Sequence, residues 1–391
     1  MAYRYRIFNS IADVQLDHWE QVRSACGGSI VMDPRFISAV EASMKQVPKF
    51  WYIIVYDEEN LPVACASASV MTLDIMDIAD PAFARVIRYS PLRFSRLRDL
   101  RIFIGGLPIG TAHHILGIAR QSAGPQVIPF VDRLMRDLAT SCKADLIVYK
   151  EFGKEDLEWT QPLLELGYRR IPTPPMHFFR SDFPDFAHYC AALKTRYRQQ
   201  INRSTRKLGN SRLATRVLTD PDEMLRAYTP EVHALYRQMA DRATFNPDVL
   251  PIDLLHELAS RLRGNIDLIA IFMDDRIVAF GWCLHTDTSY HMMYAGLDYQ
   301  LNNEFDLYFN LMYAGLDRAL RKRVSTIEVG LGADDFKARL GCYSEPLYIF
   351  VRGCGPLMSL IVRAAGNLLL LQKPSPAPNN IFRRQVARSP R

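Results

Sequence analysis

The same succession of segments, a hairpin, a strand, a helix and a strand, is written twice in this sequence about 200 residues apart, and few architectures accept it. In the second half, Ile266 to Met273 and Ile277 to Leu284 are apolar runs flanking the tight turn Asp274-Asp275-Arg276, the pattern of a β-hairpin. Tyr290 to Ala295 predicts a third strand. Phe305, Tyr308, Phe309, Met312, Leu316, Ala319 and Leu320 then recur at helical spacing. Asn302 or Asn303 is available to cap that helix, Glu304 and Asp306 suit its positive end, and Arg318, Arg321, Lys322 and Arg323 suit its negative end. Strands at Ser325 to Val329 and Pro346 to Val351 enclose a loop and short helix from Gly330 to Leu340. The first half gives the order more loosely: Trp51 to Tyr56, Val63 to Leu73, Ile102 to Leu107, a helix from about 126 to 141, a strand at Asp145 to Tyr149, and a helix ending at Tyr168. The expectation is an α/β protein with two domains of one type in tandem, each a mixed, mostly antiparallel sheet flanked by helices. The domains are set at 1–184 and 185–371, a basic linking helix over 186–209 opening the second, with a flexible basic tail over 372–391.

With 391 residues, 49% of them apolar and 23% charged, the chain is neither a disordered nor a fibrous type, and it has more to bury than one core of usual size uses. Seven cysteines, an odd number without a C-x-x-C pair and mostly inside apolar runs, argue against a disulfide framework and against a cysteine-based zinc site. The opening Met-Ala-Tyr-Arg-Tyr-Arg-Ile-Phe reads as a strand rather than an apolar targeting core, so a cytoplasmic location is expected. No run reaches 18 apolar residues. Leu357 to Leu371 is the nearest, and it is interrupted by Arg363 and Asn367, which suits an interface or a core rather than a bilayer span.

Three short stretches carry a resemblance. They are Leu-Lys-Thr-Arg-Tyr-Arg-Gln-Gln-Ile-Asn-Arg over 193–203, Tyr294-Ala295-Gly296 closing a strand before a long helix, and Gly332-Ala333-Asp334-Asp335-Phe336-Lys337 after the next strand. In this order, from about residue 50 to 351, the chain resembles GNAT acyltransferases in the tandem form of Fem-type aminoacyltransferases and of the N-acyltransferases of the cellulose-biosynthesis type. The resemblance implies transfer of an acyl group to an amine at a place where two strands splay apart, by positioning, an oxyanion donor and a proton path, with no metal and no permanently bound cofactor. Acyl-CoA or an acyl carrier protein would serve as co-substrate. It also implies donor-binding roles for Arg196, Arg203, Asn303, Lys337 and Arg339, and for Tyr294 a hydrogen bond to the leaving thiolate.

Glu328 lies mid-strand between Ile327 and Val329, so alternation turns it to the opposite face. It is a carboxylate lining a cleft and serving as base, a surface-facing strand residue, or a salt-bridged structural glutamate. His113 and His114 follow the flexible loop Gly105 to Gly110 and are catalytic candidates; exposed loop histidines are the alternative. His285 and His291 lie on strands and read as satisfied histidines. One departure stands out. GNAT enzymes that use acyl-CoA place a glycine-rich loop before the long helix, where backbone amides cradle the pyrophosphate, whereas here the sequence is Leu297 to Glu304, without glycine and with two acids.

The stretch from Phe186 to Thr219 holds eight basic residues and no acidic one, against a net charge of +6 for the whole chain, and this predicts an anionic partner. Candidates are the phosphates of a thioester donor, an anionic membrane surface and, less favoured, tRNA. Arg85, Arg88, Arg93, Arg96, Arg98 and Arg101 alternate with large apolar residues, the composition of a membrane-surface segment. The favoured function is an N-acyltransferase moving an acyl group from a thioester to the amine of an amphiphilic acceptor at the inner membrane face, a sphingoid base as in ceramide synthesis being the sharpest form. Alternatives are aminoacyl-tRNA-dependent peptidyl transfer of the Fem type and a catalytically inert binding module.

Overall fold

The computed structural model describes residues 3–73, 99–120, 123–242, 250–365 and 380–383. Most of the arginine-rich stretch over 74–98 and most of the basic tail fall outside the described residues. Two compact units are formed, the first by 1–174, 244–257 and 346–373, the second by 175–243, 258–345 and 374–391.

In the first unit, strand β1 (Arg4–Phe8) precedes helices α1 (Leu16–Ala25) and α2 (Pro34–Ser43), followed by β2 (Lys49–Tyr56) and β3 (Pro62–Leu73). The β2–β3 turn is set by Asp57, whose Oδ1 accepts from the amides of Glu59 and Leu61, and by Asn60 at a φ of 63°, which asparagine tolerates. Then come β4 (Leu100–Gly105), β5 (Leu116–Ile118), α3 (Gly124–Ser141), β6 (Leu146–Phe152) and α4 (Gln161–Glu165). Pairing runs β1-β2-β3-β4-β6 with β5 added to β3, antiparallel except for β4 with β6. A parallel pair needs a crossover, and α3 lies in this one. Its buried stripe of Val127, Ile128, Val131, Leu134, Met135 and Ala139 packs into a core with Ile53, Phe103 and Ile147.

Strand β7 (Arg169–Phe179) passes from the first unit to the second at Pro174 and Pro175. Next are α5 (Phe186–Ala192), α6 (Thr195–Gly209), β8 (Leu213–Leu218), α7 (Pro221–Ala227), α8 (Pro230–Ala240) and α9 (Ile252–Arg261). The expected hairpin is β9 (Ile266–Met273) and β10 (Arg276–His285). It is followed by β11 (Ser289–Leu297), α10 (Tyr299–Phe305), α11 (Leu307–Lys322), β12 (Thr326–Gly330), α12 (Asp334–Leu340), β13 (Tyr343–Gly353) and α13 (Pro356–Ala365). The second unit pairs residues 177–179 of β7 with β12, then β11, β10, β9 and β8, antiparallel except for β11 with β12. Residues 346–353 of β13 belong to the first unit, where they pair with β6. Both handovers fall at prolines, which have no amide to give a ladder. Each unit is thus the expected mixed, mostly antiparallel sheet with helices, and each completes its sheet with a strand from the other half of the sequence. Among the described residues, no helix is long and apolar enough to cross a membrane.

Candidate active site

In the second unit β11 and β12 pair for three rungs only: Ser289 with Thr326, Tyr290 with Ile327, and His291 with Glu328. Beyond them β11 continues to Leu297 and β12 to Gly330, so the two strands part. The far side of β11 bends at the same level, because Trp282 pairs with Tyr294 and Cys283 with Met292, leaving Met293 as a bulge. On β11, Met292 to Ala295 are all half-buried, as a strand edge opened inside a sheet must be. Gly330 takes a φ of 78°, and a Cβ there would come 3.0 Å from the Met292 carbonyl oxygen, so glycine lets the chain turn away at the base of the fork.

The first unit has the same parallel pair without the opening. β4 and β6 stay paired to Gly105 opposite Tyr149, the last residue of β4. The loop that follows is tied to β6, Lys150 Nζ donating to the Ile109 carbonyl and Glu151 Oε2 accepting from the amide and hydroxyl of Thr111.

Glu328 and His291 are each 5% exposed, with His291 Nδ1 2.8 Å from Glu328 Oε2 and His291 Nε2 2.8 Å from Ser289 Oγ. Lys337, on α12, is 2% exposed. Its Nζ donates to the carbonyls of Gly330 (2.8 Å) and Leu331 (2.9 Å), which brings the amine to the end of β12. Burial pushes its pKa down to about 7. His177, opposite Gly330 on β7, has Nε2 3.5 Å from Asp334 Oδ1; burial and the Lys337 charge hold it down to about 4. Tyr294 is on the open stretch of β11, its ring stacked on Trp282 at 5.1 Å and edge-on to Tyr236 at 6.0 Å.

Glu328, Tyr294 and Lys337 are therefore brought to one fork. The other candidates of the second unit lie on its helices. Asn303 is exposed on α10, and Arg339 is exposed on α12 with Nε donating to the Asp335 carbonyl. Arg196 and Arg203 lie exposed on α6, the Arg196 guanidinium folded over the Tyr197 ring. His113 and His114 belong to the first unit. Thr111 Oγ1 lies 2.9 Å from the His113 carbonyl oxygen, while His114 stacks on Phe152 at 4.8 Å with Nε2 3.4 Å from Asp156. His291, with both ring nitrogens partnered, is the satisfied histidine that its strand position predicts, while nothing in the sequence singles out His177. The available signal for His291 was its place on the strand that pairs in parallel with the one carrying Glu328.

The place where a phosphate cradle was missing is filled from within. Asp298 caps α10, its Oδ1 accepting from the amides of Gln300 (3.0 Å) and Leu301 (3.3 Å). Asn302 Oδ1 accepts from the Tyr308 amide in the first turn of α11. Asp306, at the junction of the two helices, accepts from Ser204 Oγ (2.7 Å) and Lys207 Nζ (2.9 Å) of α6.

Residues 195–338 match the family model described as an acetyltransferase (GNAT) domain. No curated protein matches the chain. Among solved structures, FemX is similar over 92% of this chain and 100% of its own, with a TM-score of 0.58 at 11% identity. A tandem GNAT protein from the clavulanic acid biosynthesis pathway covers 91% of this chain and 99% of its own, with a TM-score of 0.53 at 10% identity. The C-terminal domain of a lysylphosphatidylglycerol synthetase from Agrobacterium fabrum covers 90% and 97%, with a TM-score of 0.51 at 11% identity. The forked sheet over 195–338 accordingly matches the acetyltransferase (GNAT) domain model, and the chain has the fold of the tandem GNAT structures.

Proposed function

We propose that the protein is an N-acyltransferase that moves an acyl group from a thioester donor, acyl-CoA or an acyl carrier protein, to the amine of an amphiphilic acceptor, in the class of a sphingoid base. The observation that carries this reading is the opening between β11 and β12 immediately beyond His291 and Glu328. An extended pantetheine arm fits such an edge, with backbone groups of Met292 to Ala295 available to it. The acceptor nitrogen forms the C–N bond to the thioester carbonyl, the C–S bond breaks, and its electron pair leaves on sulfur. Glu328, held by His291, takes the proton lost by the amine, and the Tyr294 hydroxyl gives one to the thiolate. Lys337 Nζ, fixed by two carbonyls at the fork, suits the developing oxyanion or a donor anion.

The test is incubation with acyl-CoA and, separately, acylated carrier protein in the presence of a long-chain amine, following thiol release and N-acyl product by mass spectrometry. Product formation supports the reading, and no transfer from any thioester rejects it. A second reading, transfer from aminoacyl-tRNA, draws on Asp298 and Asp306 standing where a CoA pyrophosphate would bind. Turnover that is abolished by ribonuclease would favour it.

A further inference from the structure

The outward face of α6 bears Arg196, Gln199, Arg203, Arg206 and Asn210 at spacings of three and four, all exposed, so they form one stripe along the helix. Arg212 continues it past the helix end, also exposed. From Arg196 to Arg206 the stripe is about 15 Å long at 1.5 Å per residue. No acidic residue interrupts it between 186 and 219. The cation turned inward, Lys207, is the one neutralised by Asp306.

α6 packs directly against the two helices that follow the fork strand. Ser204 and Lys207 bond Asp306, and Asn310 Nδ2 donates to the Ser204 carbonyl. Two facts then act together. The first-turn amides of α10 are bonded by the Asp298 carboxylate and an amide of α11 by Asn302, so a free pyrophosphate meets carboxylates there instead of open donors. Positive charge has instead been moved onto side chains spread along a neighbouring helix, over a length several times that of one pyrophosphate. That is a surface for an extended partner. It exposes no aromatic ring for base stacking, since Tyr197 is buried, and its arginines are interspersed with the amides of Gln199 and Asn210, which suits carboxylates presented along a helix.

We propose that α6 is a docking surface for an acidic carrier protein that brings the acyl group on a phosphopantetheine arm, so that the thioester donor is carrier-bound rather than free CoA. This rests on the reading of the fork as the acyl-transfer site. Arginine pairs with the carrier's carboxylates fix the approach, and the arm alone enters between β11 and β12.

The experiment measures binding of an acidic holo acyl carrier protein of fatty-acid synthesis to the full chain by calorimetry, and transfer from the acylated carrier and from acyl-pantetheine. Arg206→Glu/Arg212→Glu is expected to weaken carrier binding and raise the KM for acyl-carrier at least tenfold, with the KM for acyl-pantetheine changed less than twofold. Higher salt should weaken carrier binding to the native chain and affect the variant less. Absence of carrier binding, or an equal rise in both KM values, overturns the proposal. So does binding that passes instead to tRNA or to phosphatidylglycerol vesicles with the same arginine dependence. Should no thioester of any kind be turned over, the acyl-transfer reading fails, while the calorimetric titration still decides whether α6 binds the carrier.

Discussion

His291 and Glu328 meet on the last rung before β11 and β12 part, Nδ1 to Oε2 at 2.8 Å, both buried. A carboxylate in that position has two separable duties, to hold the imidazole and to accept a proton. Glu328→Gln keeps the volume and a carbonyl oxygen toward His291 but removes the basicity. A fall in kcat of about 10²-fold or more is expected, with thermal stability little changed. Glu328→Ala deletes the partner of a buried ring and should also cost about 1–3 kcal/mol of stability. Thiol-release kinetics with denaturant titration of both variants separates the duties; a glutamine variant of native rate would assign Glu328 to structure alone.

Lys337 makes stability depend on pH in a predictable direction. Its pKa in the folded protein is about 7, below the ordinary lysine value, because burial disfavours the ammonium. Between these values the unfolded chain binds the extra proton, so stability rises with pH from about 7 toward 10.4, and the cost is present in full below 7. Lys337→Met removes the titrating group. The stability of the native chain relative to this variant should climb through that window by up to about 1.4 kcal/mol per pH unit. Urea unfolding at pH 6, 8 and 9.5 checks this, and parallel curves for the two proteins would refute it.

Much of this arrangement was legible in the sequence, for local reasons. The β9–β10 hairpin announces itself by two apolar runs about Asp274, which takes a φ of 53°, and α11 by its apolar period. Glu328 could be marked as a buried or cleft-facing acid because a strand alternates its faces. The passage of β7 and β13 between units left no comparable trace. A strand's partner is chosen by contacts far away in sequence, and Pro174, Pro175 and Pro346 look locally like breaks or edges. The His291–Glu328 pair was hidden for the same reason, since its members are 37 residues apart and meet only through the β11–β12 register. The missing glycine loop was visible, but not that Asp298 and Asn302 occupy the amides left behind.

Away from the fork, the second unit is braced by an ion pair whose carboxylate is buried and whose guanidinium is partly exposed. Asp267, 1% exposed at the start of β9, accepts from Arg318 Nε (2.9 Å) and Nη2 (3.1 Å) and from the Tyr290 hydroxyl (3.1 Å), with His285 Nε2 at 3.8 Å. Burial alone would raise the Asp267 pKa; the neighbouring His285 ring and the hydrogen bonds and charge of Arg318 outweigh it and hold the carboxyl well below the usual range. Its contribution is therefore complete above the unfolded carboxyl value and is lost as pH falls toward the folded one. Arg318→Met leaves that carboxylate without its guanidinium and should cost about 3–5 kcal/mol at neutral pH, less at pH 3. Denaturant midpoints at the two pH values measure the difference.

Two glycines on neighbouring strands make a controlled pair for the geometry of the fork. A Cβ on Gly296 of β11 would lie 2.5 Å from the Tyr236 nitrogen and 2.7 Å from the Leu235 carbonyl carbon, both backbone atoms of α8, so the helix has to move. The atoms nearest a Cβ on Gly281 of β10 would be those of the Leu311 side chain, the first at 3.5 Å, an ordinary contact. Gly296→Ala is expected to lose about 3 kcal/mol or more, and Gly281→Ala to stay within about 1 kcal/mol. Because α8 packs on the stretch of β11 that leaves β12, the strain falls on the open edge itself, and acyl transfer should drop in Gly296→Ala under conditions where the variant is still folded. Circular dichroism melts and turnover measured below the variant's midpoint test both parts. A Gly296→Ala protein with native stability and native rate would show that α8 is free to withdraw, and that the width of the fork is not set by this contact.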